Sequence, residues 1–233
     1  MSEVTASQQV SQAEEALPST PALDTVLHLP ESRSLRAYLV VKRVLDIVVA
    51  VVGIIICLPL WALIAIAIKL DSPGPIFFKQ IRPGYRGKPF YILKFRTMYQ
   101  DAERRLKEVM HLNRQRDGTL IRIPNEPRVT RVGRFLRRTS LDETPQLINV
   151  LRGEMSLVGP RPISRPIPDP RGTIRLQAMP GITGLWQING RKETDTEYML
   201  AKDMEYLKRR CLILDLWILL MTIPAALRGN GAE

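Results

Sequence analysis

The feature that most constrains this chain is an uncharged, apolar run of 22 residues, from position 47 to position 68. About 20 such residues suffice to cross a bilayer as a helix. Pro59 lies inside the run and removes a backbone hydrogen bond, so we expect two halves, 44–58 and 59–70. The first half reaches only ~22 Å, whereas a hydrocarbon core is about 30 Å thick. The run therefore predicts a membrane segment that is bent at Pro59.

Basic residues flank the run on both sides: Arg33, Arg36, Lys42 and Arg43 precede it, and Lys69, Lys79, Arg82, Arg86 and Lys88 follow it. Cytoplasmic segments of membrane proteins are enriched in lysine and arginine. Both flanks thus favour the cytoplasmic side, and we predict a re-entrant helical hairpin over residues 38–70. A proline-kinked span is the alternative that the pattern leaves open, because proline is tolerated in membrane helices.

Charge and cysteine content restrict the class of partner. The net charge is +11, yet residues 1–32 contain no lysine or arginine, so the basic character belongs to the rest of the chain. Such a field attracts nucleic acid, an anionic membrane or phosphorylated substrates, and the apolar run argues against nucleic acid. Two cysteines, Cys57 and Cys211, are too few for a disulfide framework or a cysteine metal site. The polar residues 1–37 predict a disordered tail.

The remaining chain, residues 71–233, predicts a small, mostly helical domain of the α+β class. Short strands are expected at 76–80 and 90–98, and helices at 101–116, 129–138, 145–151 and 193–210. Residues 212–227 are apolar apart from Asp215. They predict an interfacial helix along the membrane rather than a second span.

Arginines recur at three-residue steps just before two adjacent carboxylates, Asp142 and Glu143. A solvated helix face is the ordinary explanation for such a row. An arginine wall beside carboxylates also suits phosphates and a divalent metal.

Two glycine- and proline-rich segments follow the carboxylates. Arg161 stands between two prolines, which favours rigid anion recognition and a structural turn about equally. The segment 180–191 likewise brings together polar groups able to contact a ligand, Gln187, Asn189 and Arg191.

Taken in order, these motifs resemble the bacterial sugar transferases, the monotopic polyprenyl-phosphate phosphoglycosyl transferases. The matching segments are 42–46, Pro59, 74–80, 94–98, 131–137, 140–143 with Pro145 and Gln146, 155–162 and 180–184. Three positions depart from the usual pattern: Glu126 replaces an aspartate, Thr144 an apolar residue and Met179 a basic one.

The resemblance implies transfer of a sugar 1-phosphate from a nucleotide diphosphate sugar, expected to be a UDP-sugar, to undecaprenyl phosphate. This reaction would initiate polysaccharide or glycoconjugate synthesis at the cytoplasmic face of the bacterial inner membrane. The alternative is a catalytically silent, membrane-anchored scaffold that binds lipid phosphates. Homo-oligomerisation is left open.

The resemblance also implies roles for single residues. Asp142 is the expected nucleophile, which forms an aspartyl-phosphosugar intermediate and contacts Mg²⁺, and Glu143 is the second catalytic carboxylate. The expected phosphate-binding residues are Lys94, Arg137 and Arg161, with Arg96 a weaker candidate. The expected nucleotide contacts are Gln187, Asn189 and Arg191.

Overall fold

The computed structural model describes residues 32–113, 123–163, 167, 169–190 and 196–227. Residues 1–31 of the predicted disordered tail lie outside the described residues, and residues 33–37, which were also assigned to the tail, are instead helical. Within them the structure is of mixed helix and strand, and a long apolar helix comes first.

Helix α1 spans Arg33–Asp71, 39 residues, and contains Pro59. The Ser32 hydroxyl accepts a hydrogen bond from the Leu35 amide at 3.2 Å and caps its first turn. We predicted two halves divided at Pro59, and the structure instead has one continuous helix. One side of α1 packs on the rest of the chain before and after the proline, through Ala50 and Trp61 among others. This packing keeps both parts helical although Pro59 donates no hydrogen bond.

The segment 42–46 attaches α1 to the rest of the chain. Arg43 donates to the carbonyls of Val150 and Leu151 at 2.6 and 3.0 Å. Asp46 accepts a hydrogen bond from the Leu157 amide at 3.0 Å. These side chains therefore satisfy backbone groups that would otherwise be buried without partners.

Strands β1 (Phe77–Pro83) and β2 (Pro89–Phe95) form an antiparallel hairpin, close to the predicted strands. A 3-10 turn, Tyr85–Gly87, connects them. Phe78 pairs with Lys94 and Arg82 pairs with Phe90. Because side chains alternate along a strand, Phe78, Gln80 and Arg82 share one face of the hairpin with Lys94.

The helix predicted at 101–116 is wrong for the described part of that range. Only helix α2, Leu106–Val109, and a 3-10 turn, Met110–Leu112, form there, and residues 114–116 lie outside the described residues. Between 101 and 113, Ala102 and Val109 are the buried apolar side chains. Two such residues do not make the continuous apolar stripe that stabilises a longer surface helix.

The helices predicted at 129–138, 145–151, 193–210 and 212–227 form close to those bounds, whereas the short helices at 170–174 and 185–190 were not predicted. Helix α3 spans Arg131–Thr139 and α4 spans Gln146–Arg152. The parallel strands β3 (Ser156–Val158) and β4 (Gly181–Thr183) flank the short helix α5 (Pro170–Ile174) in sequence. A 3-10 turn, Arg175–Gln177, follows α5. Helices α6 (Leu185–Gly190), α7 (Thr196–Arg209) and α8 (Leu212–Leu227) complete the described chain.

Helix α8 is held by a buried carboxylate. Asp215 accepts hydrogen bonds from Lys42 and Tyr38 of α1, both at 2.8 Å, and from Tyr206 of α7 at 2.9 Å. On the same helix Ile218 is buried in the main core, whereas Ile213 is 81% exposed. One side of α8 is therefore packed, and its other side presents apolar residues.

Candidate active site

The two carboxylates lie in a tight turn after α3. Thr130 caps the start of α3, and Gly133 approaches the Thr97 carbonyl so closely that a Cβ atom would lie 2.0 Å from that oxygen. Ser140, at a left-handed φ of 57°, ends the helix, and the chain enters a 3-10 turn over Leu141–Glu143. Local backbone geometry thus places Asp142 and Glu143 beside strand β2.

Glu143 is bound by two cations from different parts of the chain. One of its oxygens, Oε1, accepts hydrogen bonds from Lys94 at 2.7 Å and from Arg161 at 2.8 Å. The Glu143 charge raises the pKa of Arg161. Burial lowers the pKa of Lys94, and the Glu143 charge opposes that effect. The structure therefore brings together three of the predicted site residues.

Asp142 has a different environment. It is 8% exposed, and its carboxylate accepts no hydrogen bond from any described residue. Burial raises its pKa to about 6, against the charge of Lys94, and the Glu143 charge adds to the rise. A buried carboxylate without hydrogen-bonded partners is available to react or to take up a metal ion.

Arg137, another of the expected phosphate-binding residues, lies close enough to Asp142 to interact with its charge. Its Nε donates to the Thr97 hydroxyl at 3.0 Å. Burial lowers the pKa of its guanidinium, and the Asp142 charge opposes that change.

A cavity of about 530 Å³ opens beside these groups. Its lining is more cationic than acidic: it includes Arg82, Lys94, Arg96, Arg128, Arg137 and Arg161, with Glu103, Glu126, Asp142 and Glu143. Volumes of 300–1,000 Å³ are usual for small-molecule sites. The excess of cations suits an anionic ligand.

Arg96 also borders the cavity, but its hydrogen bonds lead elsewhere. The guanidinium donates to the carbonyls of Pro73 and Ser72 and to the Ser72 hydroxyl, the latter two at 2.7 and 3.0 Å. It thereby satisfies carbonyl groups at the end of α1. These contacts favour a capping role over the phosphate-binding role expected from sequence.

The predicted nucleotide contacts are not assembled as a group. Asn189 donates to the Leu185 carbonyl of its own helix at 2.9 Å, and Arg191 lies outside the described residues. Gln187 is buried, and neither of its amide atoms has a partner among the described residues. Sequence reasoning missed Trp186, which lines the cavity and whose indole N–H is likewise buried without a partner there.

A second missed residue is Arg175. It donates to the Asp203 carboxylate at 2.8 Å and to the Arg161 carbonyl at 2.6 Å. Arg175 and Asp203 are almost fully buried. Arg175 therefore positions the backbone that carries Arg161. No sequence spacing signals this pair, since its members lie 28 positions apart.

The fit of the site to a metal ion depends on Asp142. The described residues contain no group of three or more histidine, cysteine, aspartate or glutamate side chains that could hold a metal. Mg²⁺ usually keeps several waters and binds one or two carboxylates together with substrate phosphates. Asp142 offers one such carboxylate, so the residues present fit a magnesium ion that arrives with a phosphorylated substrate.

Comparison with known proteins supplies the relatives of this chain. The chain is 39% identical over 197 residues to the "Exopolysaccharide production protein ExoY" of Sinorhizobium fredii. That match covers 82% of this chain and 87% of the relative. It is 45% identical over 204 residues to the "UDP-glucose:undecaprenyl-phosphate glucose-1-phosphate transferase" of Caulobacter vibrioides. This second match covers 82% of this chain and 71% of the relative.

A longer relative is the "Undecaprenyl-phosphate galactose phosphotransferase" of Salmonella typhimurium, 39% identical over 215 residues. That match covers 89% of this chain and 44% of the relative. The family model described as "Bacterial sugar transferase" matches residues 37–229. The chain therefore belongs to the bacterial sugar transferase family.

Proposed function

We propose that this protein transfers a sugar 1-phosphate from a nucleotide diphosphate sugar to undecaprenyl phosphate and so initiates exopolysaccharide synthesis. The observation that carries the proposal is the buried Asp142 carboxylate, which accepts no hydrogen bond from the described residues and faces a cationic cavity. Two relatives are named as transferases acting on undecaprenyl phosphate, and the Caulobacter protein is named for UDP-glucose. A UDP-sugar is accordingly the donor we expect.

In the proposed mechanism Asp142 attacks the phosphorus that bears the sugar. A bond forms between the Asp142 carboxylate and phosphorus, the bond to the bridging oxygen breaks, and the nucleoside monophosphate leaves. An oxygen of the polyprenyl phosphate then attacks the same phosphorus and releases Asp142. Two displacements through a covalent intermediate separate the soluble donor from the membrane-bound acceptor.

Neighbouring side chains supply the electrostatics. Lys94, Arg137 and Arg161 are the cations we expect to bind the phosphates, because charge-assisted hydrogen bonds to phosphate are strong. Glu143 holds Lys94 and Arg161 in place, which supports a positioning role for this carboxylate. Asp142 would hold Mg²⁺ together with the donor's diphosphate, and the ion would neutralise the charge on the leaving phosphate.

The arrangement of α1 supports a monotopic attachment to the cytoplasmic face of the inner membrane. The helix is long and apolar enough to cross a membrane, by length and composition. Yet Tyr38, near its beginning, bonds to Asp215, and Asp71, at its end, accepts from the Val132 amide at 3.0 Å. Both ends thus contact the same body of protein, which favours a helix that enters the membrane from one side. Exposed apolar residues of α8, such as Ile213 and Leu220, would lie against the same surface.

The experiment is a transfer assay with purified protein in nanodiscs, Mg²⁺, undecaprenyl phosphate and a panel of nucleotide diphosphate sugars. We expect nucleoside monophosphate release that requires the lipid and is lost in Asp142→Asn. Asp101→Asn, outside the cavity lining, is the matched control and should keep wild-type turnover. Mass spectrometry of protein mixed with donor alone should find the sugar phosphate on Asp142. No release from any donor, by folded and membrane-bound protein, would favour the silent scaffold.

A further inference from the structure

The face of the β1–β2 hairpin that borders the cavity carries Arg82. In the sequence this residue stands out only as one of the basic residues that flank the membrane segment. Four residues of β1 line the cavity, Phe77, Phe78, Gln80 and Arg82, whereas Lys79 does not and is exposed. The pairing of Phe78 with Lys94 places Arg82 on the same sheet face as Lys94. Arg82 therefore lines the same cavity as Lys94 and the two carboxylates, Asp142 and Glu143.

The polar contacts of Arg82 are incomplete. One terminal nitrogen donates to the neutral Gln80 side chain at 2.6 Å. The Nε atom is buried and has no hydrogen-bond partner among the described residues. Burial, together with the nearby charge of Arg161, lowers the pKa of the guanidinium to about 10, and the Glu143 charge opposes this change. Arg82 is thus a partly buried cation with a desolvated Nε atom, and a buried donor without a partner is costly unless an acceptor joins it.

The charge of Glu143 acts on Arg82, but the acidic side chains of the cavity that form ion pairs do so with other residues. Glu126 forms its ion pair with Arg128 at 2.7 Å. Glu143 is shared by Lys94 and Arg161. Within the described part of the chain, no carboxylate forms an ion pair with Arg82.

Other buried arginines of this protein show what a structural arginine looks like. Arg175 binds the Asp203 carboxylate and a backbone carbonyl. Arg96 donates to several backbone carbonyls at the end of α1. Arg82, in contrast, has one neutral partner two residues away on its own strand. A purely structural role does not explain why its guanidinium faces the cavity.

We propose that Arg82 is a further substrate-binding residue, whose guanidinium takes a phosphate oxyanion through the unpartnered Nε. The inference rests on the proposed function and extends the phosphate-binding set beyond Lys94, Arg137 and Arg161. A guanidinium suits this task because its fork of N–H donors matches the oxygens of a phosphate. The phosphate belongs either to the donor's diphosphate or to the polyprenyl phosphate, and the chemistry of recognition is the same.

The test compares Arg82→Gln with Lys79→Gln, a matched change on the exposed face of the same strand. Full-length protein in nanodiscs is titrated with inorganic pyrophosphate, and binding is followed by the shift in thermal unfolding temperature. The KM values for the nucleotide sugar and for undecaprenyl phosphate are measured separately at fixed Mg²⁺. We expect Arg82→Gln to weaken pyrophosphate binding roughly 10- to 100-fold and to raise at least one KM similarly. Lys79→Gln should match the wild type.

The two KM measurements identify which substrate supplies the phosphate that Arg82 binds. A rise confined to the nucleotide-sugar KM assigns Arg82 to the donor, and a rise confined to the lipid KM assigns it to the acceptor. Unchanged pyrophosphate binding and unchanged KM values in a folded variant overturn the inference. A lower unfolding temperature with normal binding also overturns it, because that result describes a structural residue.

A conservative variant keeps the test decisive if Arg82→Gln does not fold. Arg82→Lys retains the charge and removes the planar fork, so binding several-fold weaker than wild type is expected, and wild-type binding overturns the inference. The pyrophosphate titration needs no turnover. If the protein binds pyrophosphate through Arg82 and transfers no sugar phosphate, the proposed function fails and the inference on anion binding stands.

Discussion

Asp142 and Glu143 are neighbours in one 3-10 turn, yet their carboxylates have opposite environments. Two cations bind one oxygen of Glu143 within 2.8 Å, whereas Asp142 receives no hydrogen bond from the described residues. Glu143 therefore neutralises part of the charge of Lys94 and Arg161 and fixes their positions. Burial and then the same charge raise the pKa of Asp142, so the pair combines a carboxylate fixed by two cations with one that accepts no hydrogen bond from the described residues.

The first prediction concerns the pH dependence of transfer. As the proposed nucleophile, Asp142 must be ionised to attack phosphorus, and its pKa is raised to about 6. The value of kcat/KM for the donor should therefore fall as pH decreases through about 6, with a limiting slope of one proton. An ordinary aspartate would keep the rate constant down to about 4. A profile that is flat between pH 7 and pH 5 would contradict the assigned nucleophile.

The second prediction concerns stability. The folded protein holds the Asp142 proton more tightly than the unfolded chain does, because its pKa rises from 3.8 to about 6. Ionisation of Asp142 therefore destabilises the fold, and stability is lost as pH rises through this interval. Asp142→Asn, which stays neutral, should be more stable at pH 7 by on the order of 1–3 kcal/mol.

Thermal unfolding without Mg²⁺ or substrate measures this gain. The difference between wild type and Asp142→Asn should shrink as pH falls from about 6 to about 4 and disappear at lower pH, where Asp142 is protonated in both the folded and the unfolded protein. A variant that is less stable than the wild type at pH 7 would show that the Asp142 charge stabilises the fold.

The third prediction compares two ion pairs. The Arg175–Asp203 pair is buried, with exposed side-chain fractions of 2% and 3%, while in the Arg171–Glu197 pair they are 34% and 63%. Asp203→Asn leaves a buried guanidinium without its counterion and should lower the free energy of unfolding by about 3–5 kcal/mol. Glu197→Gln removes an exposed ion pair and should leave the free energy of unfolding close to that of the wild type.

Chemical denaturation in detergent gives both values. Because Arg175 also holds the Arg161 carbonyl, Asp203→Asn should raise the donor KM at temperatures where the variant is folded. Equal losses of stability in the two variants would refute the assigned role of Arg175.

The fourth prediction separates two arginines. Arg96 satisfies carbonyls at the end of α1, so Arg96→Gln should lower stability by about 1–3 kcal/mol and leave the donor KM unchanged. Arg137 lines the cavity with fewer backbone contacts, so Arg137→Gln should raise the donor KM instead. Steady-state kinetics and thermal unfolding of both variants are the measurements. A raised KM without lost stability in Arg96→Gln would restore the phosphate-binding role.

How far the sequence predicts the site depends on the kind of signal. The strands of the hairpin and the helix at Arg131–Thr139 follow from local pattern, and Lys94, Glu143 and Arg161 meet as expected. Arg82 was not singled out, because an alternating strand does not reveal which face lines a cavity. Arg175 was missed because its partner is distant in sequence.

Context also decided the cases where prediction and structure differ. The helix expected at 101–116 has too few buried apolar residues to form at that length. Pro59 predicted a division of α1, and tertiary packing on both sides of the proline outweighs that local signal. Thr144, a departure from the family pattern, accepts a hydrogen bond from Trp61 at 2.9 Å and so links α1 to the residue after Glu143.

The last prediction concerns topology. The segment of α1 between Tyr38 and Asp71 is ~50 Å long, and its two ends bond to the same body of protein. Between its two ends α1 also contacts that body of protein, for example through the hydrogen bond from Trp61 to Thr144. If α1 crossed the bilayer, this polar body would have to cross it too, at a large desolvation cost. Epitope tags at the two chain ends should therefore be digested by protease from the cytoplasmic side alone, in inverted vesicles and not in spheroplasts. A periplasmic protein and a cytoplasmic protein serve as controls, and digestion of one tag from each side would establish a span.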